Sequence, residues 1–316
     1  MEKIKETIIA YAKEIGFDLV AFSKAKIEKK YLEAFDNWIK ENKEADMTYM
    51  RKIEERRDLN KILPGAKSVI VLAMNYYYEQ KALKKENGRV ARYAYGKDYH
   101  KIIKKKLKLL EKFIKEQAPK AETKAYVDTG PILERALAEQ SGIGTVGKNS
   151  CIITKEFGSW VFLSEIITTL DLTSDQKPKS KFHSRDFSVC GNCRKCVDAC
   201  PTGAIIAPGV IDSKLCISYL TIENKEEIPK ELAKIIKKTK RIYGCDICQE
   251  VCPHNEAKQK INTHSEFNNL KIAGDQLNVK EILNIKTREQ YLNRFAGSPL
   301  MRAKKEGLKR NLKIIS

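Results

Sequence analysis

Apolar residues return at helical spacing through the first sixty positions. Ile4, Ile8, Ala12 and Ile15 share one side of a 3.6-residue repeat, and Gly16 stops it, which predicts a helix. Further helices are expected over 31–44 and 47–56, the latter closed by Arg57-Asp58. The pattern then changes. Residues 67–75 hold a short apolar, β-branched run behind Pro64-Gly65 and read as a buried strand. Residues 98–115 predict a basic amphipathic helix with Ile102, Leu107, Leu110 and Ile114 on its apolar side. A strand is expected over 121–127 and a helix over 131–141 with Pro131 in its first turn. Segments 151–154 and 160–169 read as a hairpin about Phe157-Gly158-Ser159. Residues 172–186 are polar, hold Pro178 and read as a linker; 279–316 is again helical and basic.

A chain of 316 residues with 42% hydrophobic content makes one large or two modest domains. No apolar run reaches the roughly 18 residues of a membrane span. The start, Met1-Glu-Lys-Ile-Lys, lacks a signal-peptide core, so the expected location is the cytoplasm. Thiols stay reduced there, and nine cysteines argue for metal rather than disulfides. Lysine and arginine number 60 against 41 acidic residues, a net charge of +19. Such a surface suits a polyanion, nucleic acid first. A lysine-rich solvated surface is the alternative, and charge alone leaves the two open.

The cysteines are more specific. Cys190-Gly-Asn-Cys193-Arg-Lys-Cys196-Val-Asp-Ala-Cys200-Pro201 has the spacing of a bacterial ferredoxin. Short gaps let three thiolates of one loop reach three irons of one cube. The fourth cysteine is expected to begin the next helix and serve the other cluster. Zinc sites use pairs of cysteines instead. A second run, Cys245-Asp-Ile-Cys248-Gln-Glu-Val-Cys252-Pro253, has the last three positions of the pattern, with Ile242 where the first would stand. Cys216 is the spare cysteine of this region. Crossing the fourth ligands gives Cys190, Cys193, Cys196 and Cys252 to one 4Fe–4S cluster and Cys200, Cys216, Cys245 and Cys248 to the other. Cys151, in an apolar segment, reads as a buried structural thiol.

Two clusters conduct electrons and break no bonds, so the first 170 residues must supply the chemistry. A Gly-x-Gly-x-x-Gly dinucleotide loop is absent, and so is a radical three-cysteine motif outside the cluster runs. Asp98-Tyr-His100-Lys-Ile-Ile103 begins like the Asp-x-His-x-x-Gly of histidine-ligated cobalamin proteins and fails at the glycine, so it reads as a chance match. Asp128, between a strand and a helix, either faces a cleft or caps the helix. The loop Gly142-Ile-Gly144-Thr-Val-Gly147-Lys148-Asn-Ser150 suits a phosphate or a bulky cofactor tail.

The string Asp128-Thr-Gly-Pro-Ile-Leu-Glu-Arg-Ala-Leu-Ala-Glu-Gln-Ser-Gly-Ile-Gly, with Val146-Gly-Lys-Asn-Ser150 and Phe157-Gly-Ser-Trp160, resembles the epoxyqueuosine reductases. So do Arg57-Asp58, Arg92-Tyr-Ala-Tyr-Gly-Lys-Asp-Tyr-His100, both cysteine runs with Cys216, and Ala296-Gly-Ser-Pro-Leu-Met-Arg-Ala-Lys304. The resemblance spans about residues 1–315. Some members add helical repeats after this point, and this chain stops at Ser316.

The resemblance implies an α+β protein: a cobalamin-binding α/β domain of reductive-dehalogenase type over 1–172, a ferredoxin-like two-cluster domain over 173–260, and a helical basic segment over 261–316. It implies reduction of epoxyqueuosine to queuosine at the tRNA wobble position, using cob(II)alamin and two 4Fe–4S clusters. The partners would be the tRNA anticodon stem-loop and an external low-potential donor such as flavodoxin or ferredoxin, with the chain a monomer. By the same resemblance Asp128 is the acid that protonates the epoxide oxygen, which replaces the cap reading. Arg57, Tyr95, Asp98, Lys148, Asn149, Ser150, Ile152, Leu163, Cys245 and Asp246 are expected near the corrin. Ser218, Thr221, Asn224 and Lys225 are expected on tRNA. Two rivals remain: a ferredoxin-type electron carrier, and a cobalamin-dependent reductive dehalogenase, which the basic charge and missing twin-arginine signal disfavour.

Overall fold

Ser68–Asn75 (β2) is buried at every position, as its apolar, β-branched sequence requires. It organises the first of two units in a computed structural model that describes residues 2–173, 187–256, 261–267 and 272–316. This unit takes residues 1–42, 48–75 and 100–193. Leu19–Lys24 (β1), β2, Val161–Thr168 (β7) and Thr123–Tyr126 (β4) form an antiparallel sheet in the order β1-β2-β7-β4. Glu2–Glu14 (α1) packs on β1 and ends where Gly16 adopts φ 97°, a conformation open to glycine. Lys29–Lys40 (α2) is shorter than its periodicity suggests. The expected helix over 47–56 divides into a 3-10 turn, Thr48–Arg51, and Ile53–Arg57 (α3). Tyr99–Gln117 (α4) buries Ile103, Leu107, Leu110 and Ile114 and turns its lysines outward. Glu134–Ser141 (α5) packs Ala136, Leu137 and Ala138 against Val69, Val71, Ala73 and Ile167. Fully burying an aliphatic side chain of this size contributes about 1.5–3 kcal/mol.

The expected hairpin over 151–169 does not form. Ile152–Ile153 (β6) pairs with Thr145–Val146 (β5), and a single bridge, Thr154 to Gly158, closes the following turn. β7 is buried on both faces over its last five residues and so takes an interior place between β2 and β4. β1 was not anticipated, because Leu-Val-Ala-Phe-Ser-Lys is short and its alternation is broken.

The second unit takes residues 43–47, 76–99 and 194–316. Its central strand, Asn87–Val90 (β3), lies between Arg241–Tyr243 (β10, parallel) and Gln276–Asn278 (β11, antiparallel). Gly88 permits this closeness, since a Cβ there would stand 2.5 Å from Ile242 and 2.7 Å from Ile315. Lys195–Ala199 (α6), the small hairpin Ile205–Ala207 (β8) and Val210–Ile211 (β9), Ile217–Ile222 (α7), Lys230–Thr239 (α8), Ile247–Glu250 (α9) and Pro253–Glu256 (α10) follow in order. Val279–Leu283 (α11), Arg288–Phe295 (α12) and Lys304–Ile315 (α13) complete the unit. Buried Asn311 of α13 donates to the carbonyls of Thr221 and Ile242 at 2.8 and 2.9 Å, fastening the tail to the cluster segment. The expected three-part division is therefore not seen. The tail shares one core with the cluster segment, and 76–99 belongs with them. The expected linker lies outside the described residues from 174 to 186.

Candidate active site

The chain leaves β4 at Tyr126 and turns at Asp128, which has φ 58°. This left-handed conformation is uncommon for a residue with a Cβ and marks a position held by its surroundings. Two contacts hold it. The Asp128 N–H donates to Glu134 Oε1 at 2.6 Å, and Asp128 Oδ2 lies 2.9 Å from His100 Nε2 at the start of α4. The Asp128 side chain is 58% exposed, so a substrate can reach it. α5 begins only at Glu134; its N-cap is Leu133 and no side chain caps it. Asp128 therefore does not cap the helix. His100 was passed over in the sequence, since its partner is 28 residues away and no local pattern joins them.

Behind Asp128 lies a buried acid. Glu165 of β7 is fully buried, and no N–H or O–H of the described residues donates to either of its oxygens. The group that acts on it is the Glu134 carboxyl. Burial, then the charge of Asp128, pushes Glu134 up to about 7. Burial, then Glu134, pushes Glu165 well above the carboxylate range.

α5 closes on Gly142, left-handed at φ 80°, and the glycine-rich loop follows. Arg135 fixes its end, donating to the Ser150 carbonyl at 2.7 Å and to the Ser150 hydroxyl. Lys148 donates to the carbonyls of Gly191 (2.6 Å) and Cys193 (3.0 Å), so this cation binds the backbone of the first cysteine run. Asn149 is buried and accepts the Cys151 N–H at 3.2 Å. Cys151 is half-buried, more open than expected. Ile152 is a core residue, whereas Leu163, like Tyr126, Leu133 and Val161, is partly buried at the margin of the core. Arg57 pairs with Asp36 at 2.6 Å and lines an open basic cavity of about 530 Å³ with Lys24, Lys26 and Lys67.

In the second unit Tyr95 is 1% exposed and accepts from Gln80 Nε2 at 2.7 Å. It is a core residue in the described chain. The Asp98 N–H donates to the Gly297 carbonyl at 2.7 Å. Asp246 is buried beside Cys245, accepting from the Arg92 N–H at 2.8 Å and from Arg92 Nη1 at 3.3 Å. Glu250 joins Arg92 at 2.8 Å and Arg241 at 2.6 Å. Thr221 is completely buried; its hydroxyl donates to the Ile217 carbonyl and accepts the Gly244 N–H. It cannot touch a nucleic acid, and the expectation for it is corrected. Ser218 and Asn224 are half-buried and Lys225 is exposed.

None of the nine cysteines is in a disulfide. Cys200 ends α6 rather than beginning a helix, and Cys216 stands at the N-cap of α7. α6 and α9, which carry Cys196 and Cys248, pack together. Ile242, in the place of the missing ligand, is fully buried in β10. Among the described residues no three His, Cys, Asp or Glu converge on one ion. Burial pushes the Cys245 thiol up to about 12. The donor set fits the clusters. The apolar margin formed by Tyr126, Leu133, Val161 and Leu163 fits the face of a corrin.

Residues 56–129 match the family model described as Epoxyqueuosine reductase QueG, DUF1730, and 189–255 match the 4Fe-4S double cluster binding domain. The chain is 41% identical to an epoxyqueuosine reductase of Atelocyanobacterium thalassa, over 99% of both chains. The chain belongs to the epoxyqueuosine reductase family. Another epoxyqueuosine reductase, from Synechocystis, is 40% identical over 87% of this chain and 91% of its own. A crystal structure of epoxyqueuosine reductase with an epoxyqueuosine-modified tRNA-Tyr stem loop superposes with a TM-score of 0.87 at 33% identity, covering 99% of this chain and 81% of that one. An epoxyqueuosine reductase of Bacillus subtilis, solved with its catalytic aspartate loop swung out of the active site, gives 0.86 at 32%, again over 99% and 81%. Epoxyqueuosine reductases are oxidoreductases that form queuosine from epoxyqueuosine with cobalamin and 4Fe–4S clusters, and this chain is an enzyme of that class. No helix among the described residues is long and apolar enough to cross a membrane.

Proposed function

We propose that Asp128 is the acid of epoxyqueuosine reduction on tRNA in this chain. The observation that carries the reading is its left-handed backbone with an exposed carboxyl held 2.9 Å from His100. Reduction of the epoxide to an alkene consumes two electrons and two protons and releases water. The oxygen cannot leave as an oxide, so a proton must meet it as the carbon–oxygen bonds break. Asp128 delivers that proton, and half-buried His100 returns one to it. Cobalamin, when bound, supplies the low-potential electrons for breaking the carbon–oxygen bonds. Leu163, Tyr126 and the loop from Lys148 to Ser150 would hold its corrin and exclude water around Asp128.

Cys190, Cys193, Cys196 and Cys252 would ligate one cluster, and Cys200, Cys216, Cys245 and Cys248 the other. Lys148 then places a cation on the first cluster's loop, and Arg92 and Arg241 place two beside the second. Electrons enter from an external low-potential donor. The tRNA anticodon stem-loop is the substrate. Exposed lysines of α4 (Lys101, Lys104, Lys105, Lys108) and of α8 (Lys234, Lys238), with Lys225, supply cations for its phosphates.

The test is Asp128→Asn in a single-turnover conversion of epoxyqueuosine tRNA with excess reductant. Asn tolerates the left-handed backbone but delivers no proton. The rate should fall on the order of 100-fold or more, with clusters and corrin retained. Turnover near the wild-type rate refutes the role.

A further inference from the structure

The acid pair behind Asp128 has no part in the mechanism above. Glu165 sits in the middle of β7, opposite Val71 and Tyr126, and faces the start of α5. Two carboxylates in contact inside a protein cannot both ionise. Two facing carboxyl groups can bond to each other only when one of them carries a proton. With no N–H or O–H of the described residues reaching Glu165, that proton is its one donor. The other end of the pair, Glu134 Oε1, receives the Asp128 N–H.

We propose that Glu165 and Glu134 are positioning residues for the acid: the proton they share fixes the Glu134 carboxyl, which holds the Asp128 N–H and so aims the Asp128 side chain at His100 and the substrate. The inference rests on Asp128 being the acid. Glu165 itself touches no reacting atom. The groups facing the pair are few. Asp128 and Tyr126 come from β4 and its loop, and Arg135 from α5. Arg56 of α3 donates to the Ile132 carbonyl at 2.7 Å and feels the Glu134 charge. His100 of α4 acts through Asp128. β1 and β2 contribute apolar side chains to this core. Glu139, further along α5, is engaged by Tyr31, Thr145 and the Val146 N–H. The pair titrates as a unit, and Glu165, raised well above the carboxylate range, holds the last proton. The two charges then repel, Glu134 swings away and Asp128 loses its anchor.

The experiment compares Glu165→Leu and Glu165→Gln in the cluster- and cobalamin-loaded enzyme. Leu removes the donor; the Gln amide donates to Glu134 and has no proton to lose. Single-turnover rates on epoxyqueuosine tRNA are measured across pH, tRNA affinity is measured separately, and infrared spectra record the C=O stretch of a buried carboxylic acid. Glu165→Leu should slow turnover about 10- to 100-fold with tRNA affinity unchanged, the cost of a misaimed acid. Glu165→Gln should recover most of that loss and move the alkaline limb of the rate to higher pH. The acid C=O band should be present in wild type and absent from Glu165→Gln. A wild-type rate in Glu165→Leu, an unmoved alkaline limb in Glu165→Gln, or an acid band missing from wild type overturns the proposal. Should Glu165→Leu not fold, the Gln profile and the band decide. An active Asp128→Asn that keeps the band shows instead that the acid role failed while the protonated pair exists.

Discussion

Glu250→Gln is expected to destabilise the second unit by about 3 kcal/mol. Glu250 neutralises two guanidinium groups at once: Arg241 through two bonds of 2.6 and 3.3 Å, and Arg92 through one of 2.8 Å. The side chains of Arg92 and Arg241 are only 8% and 10% exposed. Burial opposes the Glu250 charge, yet Arg241 and Arg92 together hold its carboxyl below the usual range. Removing one member of a buried pair costs about 3–5 kcal/mol, because a charge is stranded away from water. The lower end applies here, since Glu250 keeps 24% exposure and Asp246 still faces Arg92. Gln keeps the shape, so lost packing adds little. The measurement is urea unfolding of the cluster-loaded protein followed by far-UV circular dichroism. The double variant Arg241→Met with Glu250→Leu is the control, and it should lose much less because it strands fewer charges. A Glu250→Gln loss below about 1 kcal/mol, the worth of an exposed pair, would refute the reasoning.

Cys216→Ser should cost half the cluster iron, because buried Ile242 leaves no other ligand for the second cube; full iron retention in elemental analysis sinks the assignment. Binding of epoxyqueuosine tRNA should weaken steeply between about 50 and 200 mM salt, and a flat response in filter binding would reduce the lysines to solvation. The folded chain keeps protons on Glu134 and Glu165 that the unfolded chain releases above the ordinary value of 4.5. This contribution is complete below that value and is lost as pH rises through about 7. Glu165→Leu should therefore gain urea resistance relative to wild type between about pH 5 and 8, and a difference constant with pH would contradict the pairing.

The parts of this protein legible from sequence are those whose signal is local. Ligand chemistry at fixed spacing declares the cysteine runs, and an apolar run declares β2. α4 follows from its periodicity, although its first-turn histidine looked like an accident. Asp128 was ambiguous because a cap and an acid both favour a carboxylate before a helix; the left-handed backbone and the late start of α5 separate the two. Thr221 misled because a residue type says nothing of depth: its hydroxyl is spent on its own helix. Glu134 and Glu165 stand 31 positions apart on a helix and a strand, so only the fold discloses that each acts on the other's charge. The division into units was hidden for the same reason, since β3 finds its partners far along the chain.

That last arrangement constrains synthesis on the ribosome. The first unit has all its segments once residue 193 has emerged, and its sheet can close early. β3 emerges long before either of its neighbours, and its edges stay unpaired until residues 241–243 and then 276–278 appear. At about 5–20 residues per second, nascent chains expose those edges for many seconds. A ribosome stalled anywhere between these points leaves a finished first unit attached to an open strand, a form suited to chaperone capture or degradation. Under the proposed ligation iron delivery would face the same order, since Cys190 to Cys200 appear first and would wait for Cys245 to Cys252 before either cube had its four thiolates.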